Sequence, residues 1–474
     1  MQPRNPYRTP PDFVALAAAY PPLQPHLIQT ANGATINFMD DAAQRRLTEA
    51  LLHHDFRLSM TLPNDRICPP VPNRLNYVLW IEDIIEATSL ADPPHHPEQI
   101  KGLDMQVHVL LYHGCVRADD SNSGTGASAI YPLLGCQMHR DWSFVATDID
   151  EVSLQYARLN VRQNALEDRV TVVQSDPAGP IFLPLTNARE QEMEASISQD
   201  LEFDFTMCNP PFYRDREEMV KSAEGKESAP NAVLTGADVE LITPGGEVAF
   251  VGKMILESLH IQKHCRWYTS MLGKMSSLKD LAALLREHQI DNYAISDLVQ
   301  GQTRRWVMAW SFGDARLPDS LARIPNPALQ SIMPLRNTFH QVFEQARSAD
   351  NLAHTLRTVL ASISGLSVRP RDDSEDIAEA AQVSDVLVSA TRNTWSRAAR
   401  RRNGAASAPP ESSAPVLVCR ISCLESDSNG RRSDGQAAGA ILQIDWVKGI
   451  DRALFESFSS HVGRKVTAAF AAEI

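Results

Sequence analysis

Cysteine is scarce. Seven are scattered at positions 68, 115, 136, 208, 265, 419 and 423, an odd number with no repeated close spacing. That usage excludes a disulfide framework and indicates free thiols in an intracellular chain. Cys419 and Cys423 stand in VLVCRISCLE without a second pair to complete a tetrahedral set, so no metal site is expected. No run reaches the ~18 apolar residues of a membrane span. The opening MQPRNPYRTPPDF is polar and proline-rich, unlike a secretory leader. An excess of positive charge is also missing: the formal net charge is −13, which argues against nucleic acid if charge is spread evenly.

What remains is a chain of 474 residues, 43% hydrophobic, long enough for two or three domains around a large core. Residues 1–80 alternate proline-rich turns with short helical pieces, and DDAAQRRLTEALLHHDF (40–56) has amphipathic spacing behind an Asp cap. From about 100 to 312 strand-like runs alternate with helical patterns. The strands expected are SFVAT (143–147), VTVVQ (170–174), FDFTMC (203–208) and GEVAFV (246–251), and Gly102 to Met105 reads as the end of another. Such alternation predicts an α/β fold whose parallel sheet binds ligands at the carboxyl ends of its strands. Residues 325–363 read as mostly helical and 369–376 as a polar break. Segments 403–415 and 425–438 are poor in large apolar residues, the composition of disorder. Strand-like 414–425 and 440–449 and helical 451–466 suggest a small C-terminal domain.

The strongest local signal is Asn209-Pro210-Pro211-Phe212, on the loop leaving FDFTMC. An aromatic amine is a poor nucleophile because its lone pair is delocalised into the ring. The Asn209 side-chain carbonyl and the Pro210 backbone carbonyl can each accept one N–H of such an amine and hold it in line with an electrophile. The prolines stiffen the turn, and Phe212 offers a face to an unstacked base. The plain alternative is a proline turn with a core Phe. An electrophilic methyl implies S-adenosyl-L-methionine. Its pocket requires a glycine turn after the first strand, where Gly124, Gly126 and Ser128 stand, and a carboxylate after the second for the ribose, where Asp148 stands.

Residues 106–123 (QVHVLLYHGCVRADDSNS) interrupt that turn. Without them the chain reads KGLDMGTGASAIYPLLG, a continuous strand, turn and helix. We read the segment as an unspliced short intron carried into the gene model; a genuine loop insertion is the alternative, tolerable in entropy but splitting the pocket.

With these motifs in view, the chain resembles the U6 small nuclear RNA adenine-N(6) methyltransferase family, related to bacterial ribosomal RNA adenine-N(6) methyltransferases. The likeness spans roughly residues 10–312, through PPDFVALAAAYP (10–21), RLNYVLWIEDII (74–85), GTGASAIYPLLG (124–135), ATDIDEVSLQYARLNV (146–161), FTMCNPPF (205–212), RWYTSMLGK (266–274) and the stretch ending TRRWVMAWSF (303–312). It implies a Rossmann-like class I methyltransferase domain over 91–315, an N-terminal RNA-binding extension over 1–90, and a small α+β auxiliary RNA-binding region over 316–474. It implies cofactor contacts by Arg74, Gly124, Gly126, Ser128, Asp148 and Asn209, and adenine held by Asn209 to Phe212. The family's contact after VTVVQ has no counterpart in the divergent SDPAG (175–179). Structured RNA, with U6 small nuclear RNA first, is the implied partner, and the nucleus the implied location, with the cytoplasm second.

Positive charge is local. Lys253, Lys263, Arg266 and Lys274, then Arg304 and Arg305, are candidate phosphate contacts. TRNTWSRAARRRN (391–403) carries five arginines and no acid; it reads as an RNA contact, a nuclear import signal or a solvated linker. Two other functions fit the motifs: methylation of a protein glutamine, whose amide nitrogen also suits Asn-Pro-Pro-aromatic, and an RNA-binding factor whose cofactor site is broken by 106–123.

Overall fold

A computed structural model describes the chain apart from residues 32, 91–98, 106–124, 177–178, 183–202, 219–241, 302, 347, 371–384, 397–398, 400–413, 426–438 and 473–474. The chain forms two compact units. One comprises Met1–Ile85, Pro94–Gly313 and Arg323–Pro334; the other comprises Glu86–Pro93, Asp314–Ala322 and Leu335–Ile474.

The first unit opens with α1 (Phe13–Ala19), the hairpin β1 (Leu27–Thr30) and β2 (Gly33–Ile36), α2 (Asp41–Phe56) and α3 (Val71–Ser89), whose residues from Glu86 on count with the second unit. It continues through β3 (Ile100–Met105), α4 (Ile130–Met138), β4 (Trp142–Asp148), α5 (Glu151–Gln163), β5 (Val170–Gln174), β6 (Phe203–Cys208), α6 (Gly246–Ile261), β7 (Cys265–Leu272), α7 (Met275–Glu287), β8 (Tyr293–Gln300) and β9 (Thr303–Trp310). The seven strands stand in the order β5-β4-β3-β6-β7-β9-β8. The first five are parallel; β9 is antiparallel to both of its neighbours, β7 and β8, so β8 runs with the five, the Rossmann-like methyltransferase sheet expected from the sequence. All six residues of β6 and all eight of β7 are buried, as befits parallel strands covered on both faces. Chain order reverses on either side of β3, so the crevice beyond the ends of β3 and β6 is the switch point where such sheets bind ligands.

Two expectations fail. GEVAFV is not a strand but the first turns of α6. Gly245 and Gly246, at φ 78° and 65°, redirect the chain. The buried residues Glu247, Phe250, Val251, Met254, Ile255, Ser258 and Ile261 then recur every three or four positions. Segment 325–363 is not mostly helical: Thr338–Phe343 is a strand paired with Ala440–Asp445.

The second unit holds α8 (Asp319–Ala322), β10 (Thr338–Phe343), α9 (Ala349–Ala361), β11 (Leu366–Pro370), β12 (Asp385–Ala390), β13 (Leu417–Glu425), β14 (Ala440–Lys448) and α10 (Arg452–Ala472). Its antiparallel sheet, ordered β10-β14-β13-β12-β11, packs Cys419, Ile421, Leu442 and Ile444 against Leu356 of α9 and Phe455, Phe458 and Val462 of α10. Trp446 stacks on Phe455, with the Arg316 and Arg452 guanidinium groups 4.6 and 5.1 Å from its ring. Cys419 and Cys423 are free and buried in this core. Among the described residues no cluster of three or more potential ligands could hold a metal ion, and no helix is long and apolar enough to cross a membrane. Of the segments 403–415 and 425–438, read above as disordered by composition, all but residues 414, 415 and 425 lie outside the described residues, and Glu425 ends β13.

Candidate active site

The register of the sheet brings the motifs together. Met105 pairs with Thr147 on one side and Cys208 on the other, so Asp148 and Asn209 leave the sheet level with each other across β3. The glycine turn is tied to the same strand ends. Thr125 donates its amide to the Thr147 carbonyl (2.7 Å) and its hydroxyl to Asp104 Oδ2 (2.6 Å). Residues 105 and 125 therefore both adjoin Thr147. Gly124 and the segment 106–123 lie outside the described residues.

Asp148 is fully buried. Its Oδ2 accepts the Gly126 amide (3.1 Å) and its Oδ1 the Asp150 amide (2.9 Å). Burial pushes its pKa well above the usual carboxylate range, against the pull of these two bonds. Each oxygen keeps a further acceptor site, which suits a pair of ribose hydroxyls. Gly126 adopts φ 69°, a conformation that favours glycine, and Ser128 is buried in the turn before α4. Asp104 beneath the turn has its pKa raised by burial to about 7, tempered by Thr125 and by the charge of Arg74. Arg74, on α3, donates from Nη1 to the Tyr131 hydroxyl (2.8 Å), while its buried Nε has no hydrogen-bond partner among the described residues. A cation with a spare donor and a carboxylate with spare acceptors fit the methionine carboxylate and the ribose hydroxyls of S-adenosyl-L-methionine.

Asn209 is buried, and its Oδ1 has no hydrogen-bond partner among the described residues. A buried orphan acceptor costs on the order of 1–3 kcal/mol, which a ligand N–H would recover. The preceding Cys208 amide reaches the Tyr77 hydroxyl (3.4 Å), which also bonds Thr269 Oγ1 (2.6 Å). Phe212 lies beyond Pro210 and Pro211, with the Arg305 guanidinium 5.3 Å from its ring centre. Burial and the like charge of Arg74 lower the pKa of Arg305, the cost of facing two cations into one site.

The six candidate phosphate contacts separate. Lys274, after β7, pairs with Glu218 (2.7 Å) and lies 5.3 Å from the Tyr213 ring. Arg304 and Arg305 open β9, whose antiparallel pairing of Trp306 with Leu272 puts them at the same end of the sheet as Lys274. Arg304 is exposed, 3.5 Å from Asp297. Lys263 is exposed but precedes β7, at the opposite end. Lys253 sits about 10 Å along α6, bonded to the Gly179 carbonyl and Glu257. Arg266 is a correction: it is buried and paired with buried Asp204 (3.2 Å), so it is not presented to a phosphate.

Several supporting residues carried no local signal. Besides Tyr77, Asn160 of α5 donates to the carbonyls of Ala127 (2.8 Å) and Thr61 (3.0 Å), tying the glycine turn to the N-terminal segment. Arg66 pairs with Asp150 (2.8 Å), the residue that caps α5 and whose amide serves Asp148. All three act through tertiary contacts that no short motif encodes.

Comparison with known proteins agrees with this geometry. A family model described as RNA methyltransferase matches residues 1–314. Over 318 residues the chain is 38% identical to the "RNA N(6)-adenosine-methyltransferase mettl16" of Danio rerio, covering 66% of this chain and 59% of that protein. Over 436 residues it is 31% identical to the "U6 small nuclear RNA (adenine-(43)-N(6))-methyltransferase" of Schizosaccharomyces pombe, covering 92% and 96%. The chain thus spans about three-fifths of the fish relative and nearly all of the yeast one. The solved hMettl16 catalytic domain in complex with MAT2A 3′UTR hairpin 6 superposes with a TM-score of 0.55 at 35% identity, over 67% of this chain and 99% of that one. The N-terminal domain of human METTL16 in complex with SAH gives 0.50 at 34%, over 66% and 99%.

Proposed function

The chain belongs to the RNA methyltransferase family, and on that premise we propose that it methylates the exocyclic N(6) amine of an adenine in structured RNA, with U6 small nuclear RNA as substrate. The observation that carries this reading is the unpartnered, buried Asn209 Oδ1 at the switch point, followed by Phe212. S-adenosyl-L-methionine supplies the electrophilic methyl. Arg74, the Gly126 turn, Ser128 and Asp148 would hold that cofactor, a role that the spare donor of Arg74 and the remaining acceptor sites of Asp148 support. Asn209 Oδ1 and the Pro210 carbonyl accept the two amine hydrogens and turn the nitrogen lone pair toward the methyl. Phe212 holds the unstacked base. The N-methylated amine then sheds its proton to water, so no general base is required.

Incubation with tritiated cofactor, U6 transcript and a protein extract tests the assignment. Label is expected in RNA. Label confined to protein glutamine, or no cofactor binding at all, contradicts it and favours the glutamine methyltransferase or the pure RNA-binding factor.

Residues 106–123 are proposed to be an unspliced intron. Supporting this, residues 105 and 125 both adjoin Thr147, so strand and turn meet without them. The mature transcript is expected to join the codon of Met105 to that of Gly124, and the shorter chain to bind S-adenosyl-L-methionine more tightly. A tryptic peptide from within 106–123 in native protein would rule this out.

The second unit is proposed as an additional RNA module. Arg392 in the basic stretch is described; Arg397 and Arg400 to Arg402 lie outside the described residues. Deletion should remove 335–474, not everything after Phe312. Ile324, Leu329 and Met333 belong to the first unit's core, and Arg286 donates to the carbonyls of Ser331 (2.8 Å) and Met333 (2.9 Å). The shortened enzyme is expected to bind U6 RNA more weakly with a shallower salt slope, its saturated turnover changing by no more than about two-fold. Equal affinity and slope would deny the unit this role. Nuclear residence is proposed from the same basic stretch; a fluorescent fusion that stays cytoplasmic with 391–403 intact would refute it.

A further inference from the structure

Glu247 is a buried carboxylate that the chemistry above does not use. It stands in the first turn of α6 and reaches to the start of α7. It accepts the amides of Gly273 (2.6 Å) and Lys274 (2.9 Å) and the Ser277 hydroxyl (2.5 Å). Lys274, at the cap position of α7, makes no side-chain capping bond, so a residue from another helix satisfies these donors. The residue thus held is the one that touches Phe212. A Cβ on Gly273 would lie 2.7 Å from Phe212 Cδ1, 3.1 Å from Cγ and 3.2 Å from Glu247 Oε2. On the other side of Glu247 in sequence, Gly246 lies against the main chain after Phe212: a Cβ there would be 3.6 Å from the Phe212 carbonyl oxygen and 3.4 Å from the Arg214 amide. Glu247 therefore joins two backbone segments that touch Phe212, one against its ring and one against its carbonyl.

We propose that Glu247 is a positioning residue for base stacking: by fixing Gly273 against the Phe212 ring, it sets the plane on which the target adenine lies. This rests on the reading of Phe212 as the stacking ring. The carboxylate matters because all three partners donate. Glutamine has the same shape, but its NH2 group would face an N–H or O–H donor and leave a bond unmade. Glycine matters at 273 because any side chain displaces the ring, although its backbone is not in the left-handed region.

The test uses the full chain and a U6 small nuclear RNA transcript carrying 2-aminopurine at the adenine first mapped by methyl label. In the wild type, stacking on Phe212 quenches the flipped base; Phe212→Ala gives the unquenched level. Glu247→Gln and Gly273→Ala are each expected to move fluorescence toward that level and to lower saturated turnover by about ten-fold. RNA and cofactor affinities should stay within about three-fold, since phosphates and the other strand ends supply them. A general loss of structure would instead weaken cofactor binding and lower the melting temperature with turnover. If Glu247→Gln does not fold, Ser277→Ala removes one donor of the three and is expected to shift fluorescence the same way. Wild-type fluorescence and turnover in the folded variants overturn the inference while Phe212→Ala stays slow. If Phe212→Ala also keeps wild-type fluorescence and turnover, the stacking reading fails and the inference falls with it.

Discussion

Replacing Asn209 by alanine is expected to lower methyl transfer about 100-fold, a loss on the order of 3 kcal/mol for one oriented acceptor. The effect should fall on turnover, because the target amine needs its lone pair turned toward the methyl only as the reaction proceeds. RNA affinity should survive, since Lys274, Arg304 and Arg305 are proposed to contact phosphates, which generally supply most of such affinity. Folding should survive as well. Asn209 Oδ1 has no hydrogen-bond partner among the described residues, so its removal breaks no bond at that oxygen and relieves a buried unpaired acceptor. Single-turnover methylation and filter binding on the same preparation separate the two quantities. Wild-type turnover in the mutant would remove Asn209 from the chemistry.

The second large effect is on stability. Arg266→Met should destabilise the first unit by about 3–5 kcal/mol, because it strands the buried Asp204 carboxylate without its cation. Asp204 Oδ2 keeps the Lys101 amide (2.9 Å), which cannot replace a charge. Folded Arg266→Met should bind U6 RNA with wild-type affinity and salt slope. Denaturant titration measures the first statement and salt-dependent binding the second. Retained stability with a reduced salt slope would return Arg266 to the RNA interface.

The placement of Arg266 illustrates what the sequence could and could not convey. Charge clustering grouped Arg266 with Lys274, but the eight residues of β7 span about 26 Å and put the two at opposite ends of the sheet. Proximity along a strand is distance in space. By contrast, FDFTMC followed by Asn-Pro-Pro-Phe was legible because its aromatic and apolar residues, between turn-like flanks, read as a strand, and the loop leaving a parallel strand emerges at the ligand-binding edge. GEVAFV misled because six residues rich in apolar types fit either a strand or a helix; only the sixteen residues of α6 reveal the helical period. TFHQVF, inside a segment read as helical, alternates two faces over too few residues to outweigh its helical surroundings. The Glu247, Gly273 and Arg305 shell around Phe212 was illegible because it joins three elements far apart in the chain, and nothing local in any of them marks the contact.

The central claim is that this site methylates the N(6) amine of an adenine in RNA. Mass spectrometry of nucleosides from U6 small nuclear RNA, after incubation with the full chain and cofactor carrying a deuterated methyl group, tests it most directly. The account predicts deuterated N(6)-methyladenosine with the wild type and its near absence with Asn209→Ala. Deuterium on another nucleoside position, or N(6)-methyladenosine formed equally by both proteins, would contradict it.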